Sequence, residues 1–79
     1  MKFTAISLKK IEYEGEVVSI NLRTTSGEIT VLDNHRPLIT QLVSGQAVII
    51  KKDGNRFSLD IKSGFLEMDE KNAVTLLVS

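Results

Sequence analysis

The sequence predicts an all-β protein, an antiparallel sandwich or barrel of roughly seven to nine short strands. Three observations carry that expectation. Apolar and polar residues alternate with period two through Val18-Ser19-Ile20-Asn21-Leu22-Arg23 and again through Phe57-Ser58-Leu59-Asp60-Ile61-Lys62, as in strands with one face buried and one wet. Turn-forming residues recur about every eight to twelve positions, notably at Thr25-Ser26-Gly27, Asp53-Gly54 and Ser63-Gly64. Helical spacing is never sustained for about ten residues; only Leu38, Ile39, Leu42 and Val43 show it, and briefly.

Taken in order, Phe3–Leu8 reads as a first short strand. Lys9–Glu14 is charged and irregular, and Glu14-Gly15 reads as a turn. Glu16–Thr24 is a strand with Val18, Ile20 and Leu22 on its inner face, and Glu28–Leu32 is the next. A polar tetrad, Asp33-Asn34-His35-Arg36, then leads into Pro37, the single proline, beside His35, the single histidine. Asn34 suits a left-handed turn position. Pro37 can open either a helical turn or an edge strand, and the extended choice is taken for Leu38–Val43.

Ala47–Ile50 is β-branched and runs to Lys51-Lys52. Asp53-Gly54 then predicts a type I′ hairpin turn, in which both central residues need positive φ. The return strand puts Phe57, Leu59 and Ile61 inward. Phe65–Met68 is a short strand, Asp69–Asn72 a polar turn, and Ala73–Val78 a last strand with Val74, Leu76 and Val78 inward.

Composition narrows function. The 79 residues read as one domain, residues 1–79, near the lower size at which an apolar core suffices. Ten basic and ten acidic side chains cancel, which leaves no electrostatic footprint for nucleic acid or an anionic membrane. The absence of cysteine excludes disulfides and thiolate metal sites and fits a reducing compartment. Met1–Leu8 is too short and polar for a signal peptide, and no run nears the ~20 apolar residues of a membrane helix. A soluble protein without direct membrane insertion is expected.

The search for chemistry yields little. One histidine without cysteine makes zinc improbable, and neither Gly-x-Ser-x-Gly nor a phosphate-binding Gly-x-x-x-x-Gly-Lys occurs. The carboxylate pairs Glu12/Glu14 and Asp69/Glu70 lie in charged segments that read as solvated loops. His35 in a polar loop reads first as a solvent-facing side chain bonded to nearby backbone. No cofactor, metal or active site is expected.

Four blocks nevertheless resemble the epsilon subunits of F-type ATP synthases. They are Glu14-Gly15-Glu16-Val17, Gly27 through Thr40, Ser63-Gly64-Phe65-Leu66-Glu67-Met68 and Val74-Thr75-Leu76-Leu77, in the family's order and spacing. The resemblance implies a two-layer antiparallel β-sandwich of about ten short strands. It implies a non-catalytic central-stalk part, packed through apolar positions of one sandwich face on the gamma subunit and standing on the c-subunit ring. The complex would sit at the cytoplasmic face of a bacterial cell membrane. Carried over position by position, the ring-facing contacts would be Ser7, Glu28, His35 and, at the loop tip, Arg36. The sequence departs from the family pattern at Thr30, Asp33-Asn34, Arg36 and Ser63. Members commonly carry a following helical hairpin that regulates hydrolysis or binds ATP, and residues 1–79 imply neither property. The alternative reading is a stand-alone β-sandwich that binds a small ligand or peptide; an enzymatic one would need His35 as its essential residue.

Overall fold

The computed structural model describes all 79 residues and is built of strands alone. Eight strands follow in order: β1 (Lys2–Ile6), β2 (Ile11–Thr24), β3 (Gly27–Leu32), β4 (Leu38–Leu42), β5 (Gly45–Lys51), β6 (Arg56–Ile61), β7 (Gly64–Met68) and β8 (Ala73–Val78). One layer places β1, β8, β7 and β4 side by side, and the other places β3 and β6 on either side of the β2–β5 pair. The long strand β2 belongs to both. Its first half pairs with β1 and its second half with β3 and β5, while Thr24 reaches across to Leu42 of β4.

The count is eight, within the seven to nine read from the residues and below the about ten that the resemblance implies, and residues 11–24 form one continuous strand. Gly15 is therefore not in a turn. It lies opposite Phe3, and a Cβ there would sit 2.7 Å from the Tyr13 hydroxyl, so glycine is what lets the Tyr13 ring fold over the backbone. The pairing also departs from purely antiparallel, since β1 and β8 run parallel, Phe3 opposite Val74 and Ala5 opposite Leu76.

Fifteen buried apolar residues from both layers make a single core, with Phe3, Leu66 and Leu76 of one layer meeting Ile20, Val31 and Ile49 of the other. The alternation of β6 and β8 is as expected: Ile61, Val74 and Leu76 are buried, and Phe57, Leu59 and Val78 pack against the core. In β2 the phase slips. Val17 is buried and Val18 exposed, because the pairing with β5 shifts register between Val17 and Ser19. The extra residue of such a bulge turns Val18 outward, and the strand bends there from one layer into the other.

The β5–β6 connection is also different from a type I′ turn. Lys52–Asn55 form a four-residue loop in which the Gly54 N–H donates to the Lys51 carbonyl at 2.9 Å. Gly54 has φ 92°, whereas Asp53 keeps negative φ and accepts the Asn55 N–H on Oδ1 at 2.9 Å. The Asp53 carboxylate thus shapes the loop through a local hydrogen bond, a common use of Asp in turns. Leu38–Leu42 is extended, as expected, and pairs along its length with β7.

Candidate functional site

The tetrad after β3 makes a tight turn. The His35 N–H donates to the Leu32 carbonyl at 3.1 Å, and Asn34 has φ 61°, the left-handed conformation that asparagine tolerates best after glycine. His35 and Arg36 are exposed. The His35 Nδ1 lies 2.8 Å from the Arg36 carbonyl. A carbonyl only accepts, so the Nδ1 is the donor in this contact.

Asp33 holds the turn to the rest of the molecule. Its Oδ1 accepts from the Met1 amino group at 2.7 Å and from Asn72 Nδ2 at 2.8 Å. Asn72 returns a bond, accepting the Asn34 N–H on Oδ1 at 2.7 Å, and the same Met1 amino group donates to the Val17 carbonyl at 3.0 Å. Three segments distant in sequence are thereby latched by one carboxylate. The hydrogen bond from the Met1 amino group, then that from Asn72, hold the Asp33 carboxyl below its ordinary value of 3.8 against the opposing effect of desolvation.

A carboxyl that ionises more readily folded than unfolded stabilises in full above the ordinary carboxylate range, and that stabilisation is lost as pH falls through the lowered folded value. Urea unfolding across pH should therefore show a gap between the chain and Asp33→Asn that is constant above about pH 5 and closes below about pH 4. A gap that persists unchanged to about pH 2 would refute the latch.

The other two expected contact residues lie elsewhere. Ser7 directly follows β1, whose start is latched to Asp33, so Ser7 and Asp33 are separated by the length of that strand, roughly 17–20 Å at ~3.3 Å per residue. Ser7 Oγ donates to Glu12 Oε2 at 2.9 Å and accepts the Lys9 and Lys10 N–H groups at 3.3 Å. It shapes a turn from which Leu8 projects 99 % exposed. Glu28, at the start of β3, accepts from Asn21 Nδ2 at 3.0 Å, and the same amide reaches Thr30 Oγ1 at 2.9 Å. Thr30, where the sequence departs from the family pattern, thus has a side-chain partner on the neighbouring strand. Hydrogen bonds join Asp33 and Asn34 to Met1 and Asn72; none joins Ser7, Glu28 and His35 to one another.

A further surface was visible only generically in the sequence. Facing residues on paired strands share a side of the sheet, so the β1–β8–β7–β4 layer turns an apolar row outward: Ile11 and Ile6, then Leu77, then Phe65. Ile39 of β4 stands one step along at 73 % exposure. A depression of about 220 Å³ lies among Ile39, Phe65, Glu67, Thr75 and Leu77, floored by Leu66. The doublets Leu38-Ile39, Phe65-Leu66 and Leu76-Leu77 are its sequence signal, since two consecutive apolar residues in a strand put one on each face. No cluster of three or more His, Asp or Glu side chains is arranged to hold a metal ion.

Fold and surface together define a small all-β domain whose polar chemistry is confined to loops and sheet faces. Over residues 1–79 the sequence matches the family described as ATP synthase, Delta/Epsilon chain, beta-sandwich domain, and the chain belongs to that family. It is 37 % identical over 71 residues to the ATP synthase epsilon chain of Dichelobacter nodosus, covering 90 % of this chain and 50 % of that one. It is 40 % identical over 67 residues to the epsilon chain of Caldanaerobacter subterraneus subsp. tengcongensis, covering 85 % and 48 %. The chain spans about half the length of the curated relatives it matches.

Among solved structures, a chain of the Euglena gracilis mitochondrial ATP synthase (OSCP/F1/c-ring, rotational state 1) has the same fold. The TM-score is 0.90 at 23 % identity, covering 96 % of this chain and 48 % of that one. A chain of the Tetrahymena thermophila mitochondrial ATP synthase, central stalk/c-ring, superposes with TM-score 0.81 at 14 % identity, covering 99 % and 62 %.

Proposed function

We propose that residues 1–79 form one epsilon-type β-sandwich domain of the central stalk of an F-type ATP synthase. It is a non-catalytic part that couples rotation of the gamma subunit to the membrane c-ring. The carrying observation is the family match from the first residue to the last. The epsilon-chain relatives and the likeness in fold to a chain of a central stalk/c-ring assembly support it. The working surfaces in this reading are contacts: the exposed apolar row of the β1–β8–β7–β4 layer toward gamma, and Ser7, Glu28, His35 and Arg36 toward the ring. No helix is long and apolar enough to cross a membrane, and the place proposed for the domain is peripheral, at the cytoplasmic face of a bacterial membrane.

The test of the first contact is co-elution with a gamma subunit from the same source on gel filtration; persistent failure to associate refutes the reading. The ring contacts are tested one residue at a time. With no native cysteine in the chain, single Cys substitutions at Ser7, Glu28, His35 and Arg36 can be crosslinked to cysteines placed in the c-ring's polar loops of an assembled complex. Crosslinks are expected from each position. One that never crosslinks drops out of the contact, and Ser7 and His35 report on separate ends of β1.

A further inference from the structure

The outward side of the β1–β8–β7–β4 layer is not uniformly apolar; it is graded along the strands. One row, Ile11–Ile6–Leu77–Phe65, is apolar. The next row toward the start of β1 runs Glu14–Thr4–Thr75–Glu67–Ile39, and beyond it Glu16 faces Lys2. Three carboxylates, Glu14, Glu16 and Glu67, therefore stand on this side against Lys2 and the buried Met1 amino group, which lies 3.9 Å from Glu16. Past the apolar row, at the opposite end of β1, the turn presents exposed Leu8, Lys9 and Lys10, with Glu12 held at 2.9 Å by Ser7 beside the two lysines. From one end to the other the face reads net acidic, apolar, net basic.

We infer that this gradient fixes the chemistry and the direction of the stalk partner that covers the face. The inference rests on the central-stalk reading above and goes beyond it. The partner segment places an apolar side chain in the depression bounded by Ile39, Phe65, Thr75 and Leu77. It carries Lys or Arg toward Glu14 and Glu67, and Asp or Glu toward Lys9 and Lys10. Complementary charge across an interface sets register and discriminates against reversed docking more than it adds affinity, whereas buried apolar anchors near the centre carry the binding. Reversing the segment would set lysine against lysine at one end and carboxylate against carboxylate at the other.

The experiment measures the Kd of the chain for the gamma subunit by calorimetry at low and high NaCl, with circular dichroism confirming that each variant is folded. Ile39→Ser and Leu77→Ser are expected to weaken binding at least tenfold. Glu67→Lys and the Lys9→Glu/Lys10→Glu double variant are expected to weaken it several-fold and to flatten its salt dependence. Val18→Ser and Leu32→Ser remove exposed apolar side chains outside the face, and they should stay within twofold.

Wild-type affinity in Ile39→Ser and Leu77→Ser, equal losses in the Val18 and Leu32 variants, or an unaltered salt dependence in the charge variants would overturn the inference while leaving the central-stalk reading intact. So would a self-associated chain that dissociates on Leu77→Ser and is not displaced by gamma, which would make a second copy the occupant. If the unmodified chain does not bind gamma at all, the central-stalk reading falls, and this inference with it.

Discussion

Gly64→Ala is expected to cost about 3 kcal/mol or more, against a total stability of roughly 4–12 kcal/mol for a domain of this length. Gly64 begins β7, between Leu42 of β4 and Val78 of β8. A Cβ there would overlap the Leu77 carbonyl oxygen, come within 3.0 Å of its carbon and lie 3.1 Å from the Val78 Cα. All three atoms belong to a neighbouring backbone that cannot swing aside as a side chain can. The φ of 150° adds a conformation that residues with a Cβ rarely adopt. Relief requires β7 and β8 to part at their shared end, beside Leu76 and Leu66 of the core. Urea unfolding followed by circular dichroism measures the effect, and a loss below about 1 kcal/mol would show that the sheet opens there without strain.

Phe3→Ala should cost about 3–5 kcal/mol, the usual range for emptying a buried aromatic site. Phe3 is fully buried on β1. Its ring lies 5.8 Å from Tyr13, whose ring in turn lies 4.6 Å from Phe57. These three rings step from one layer to the other, with the Lys51 ammonium 5.6 Å from the Tyr13 centroid and 5.4 Å from that of Phe57. Truncating Phe3 empties the inner end of this chain, where Tyr13 cannot follow without leaving its place over Gly15. Phe57→Ala, at the half-exposed outer end, should cost clearly less. Equal losses in the two variants would refute the ordering.

How much of this was legible depended on which interactions are local. The strands of β6 and β8 were readable because alternation is a local signal and both follow it without interruption. The β2 bulge was not. A register slip is decided by what β5 offers across the sheet, and the sequence around Val17-Val18 contains two equally apolar candidates for the inner face. Gly15 misled for a related reason: glycine signals a turn when alone, yet here its missing Cβ serves Tyr13, two residues away and on the same strand.

The parallel pairing of β1 with β8 could not be read either, because nothing in either strand encodes its direction relative to a partner some seventy positions away. At the candidate contacts, the loop conformation was legible in Asn34. The role of Asp33 was not, since its partners Met1 and Asn72 are remote in sequence. Asp33 and Asn34, where the sequence departs from the family pattern, hold the loop through Met1 and Asn72.

The parallel seam between the first and last strands bears on how the protein comes to be folded. Phe3 and Ala5 find Val74 and Leu76 only after some seventy further residues have left the ribosome. Until then β1 lacks one neighbour, and the apolar side chains of β1 and β7 are without the strand that joins them. Pairings of such long sequence separation slow folding, because loop closure is opposed by entropy before any contact rewards it. Nascent chains arrested before Ala73 should therefore remain protease-sensitive, with resistance arriving in one step as β8 emerges.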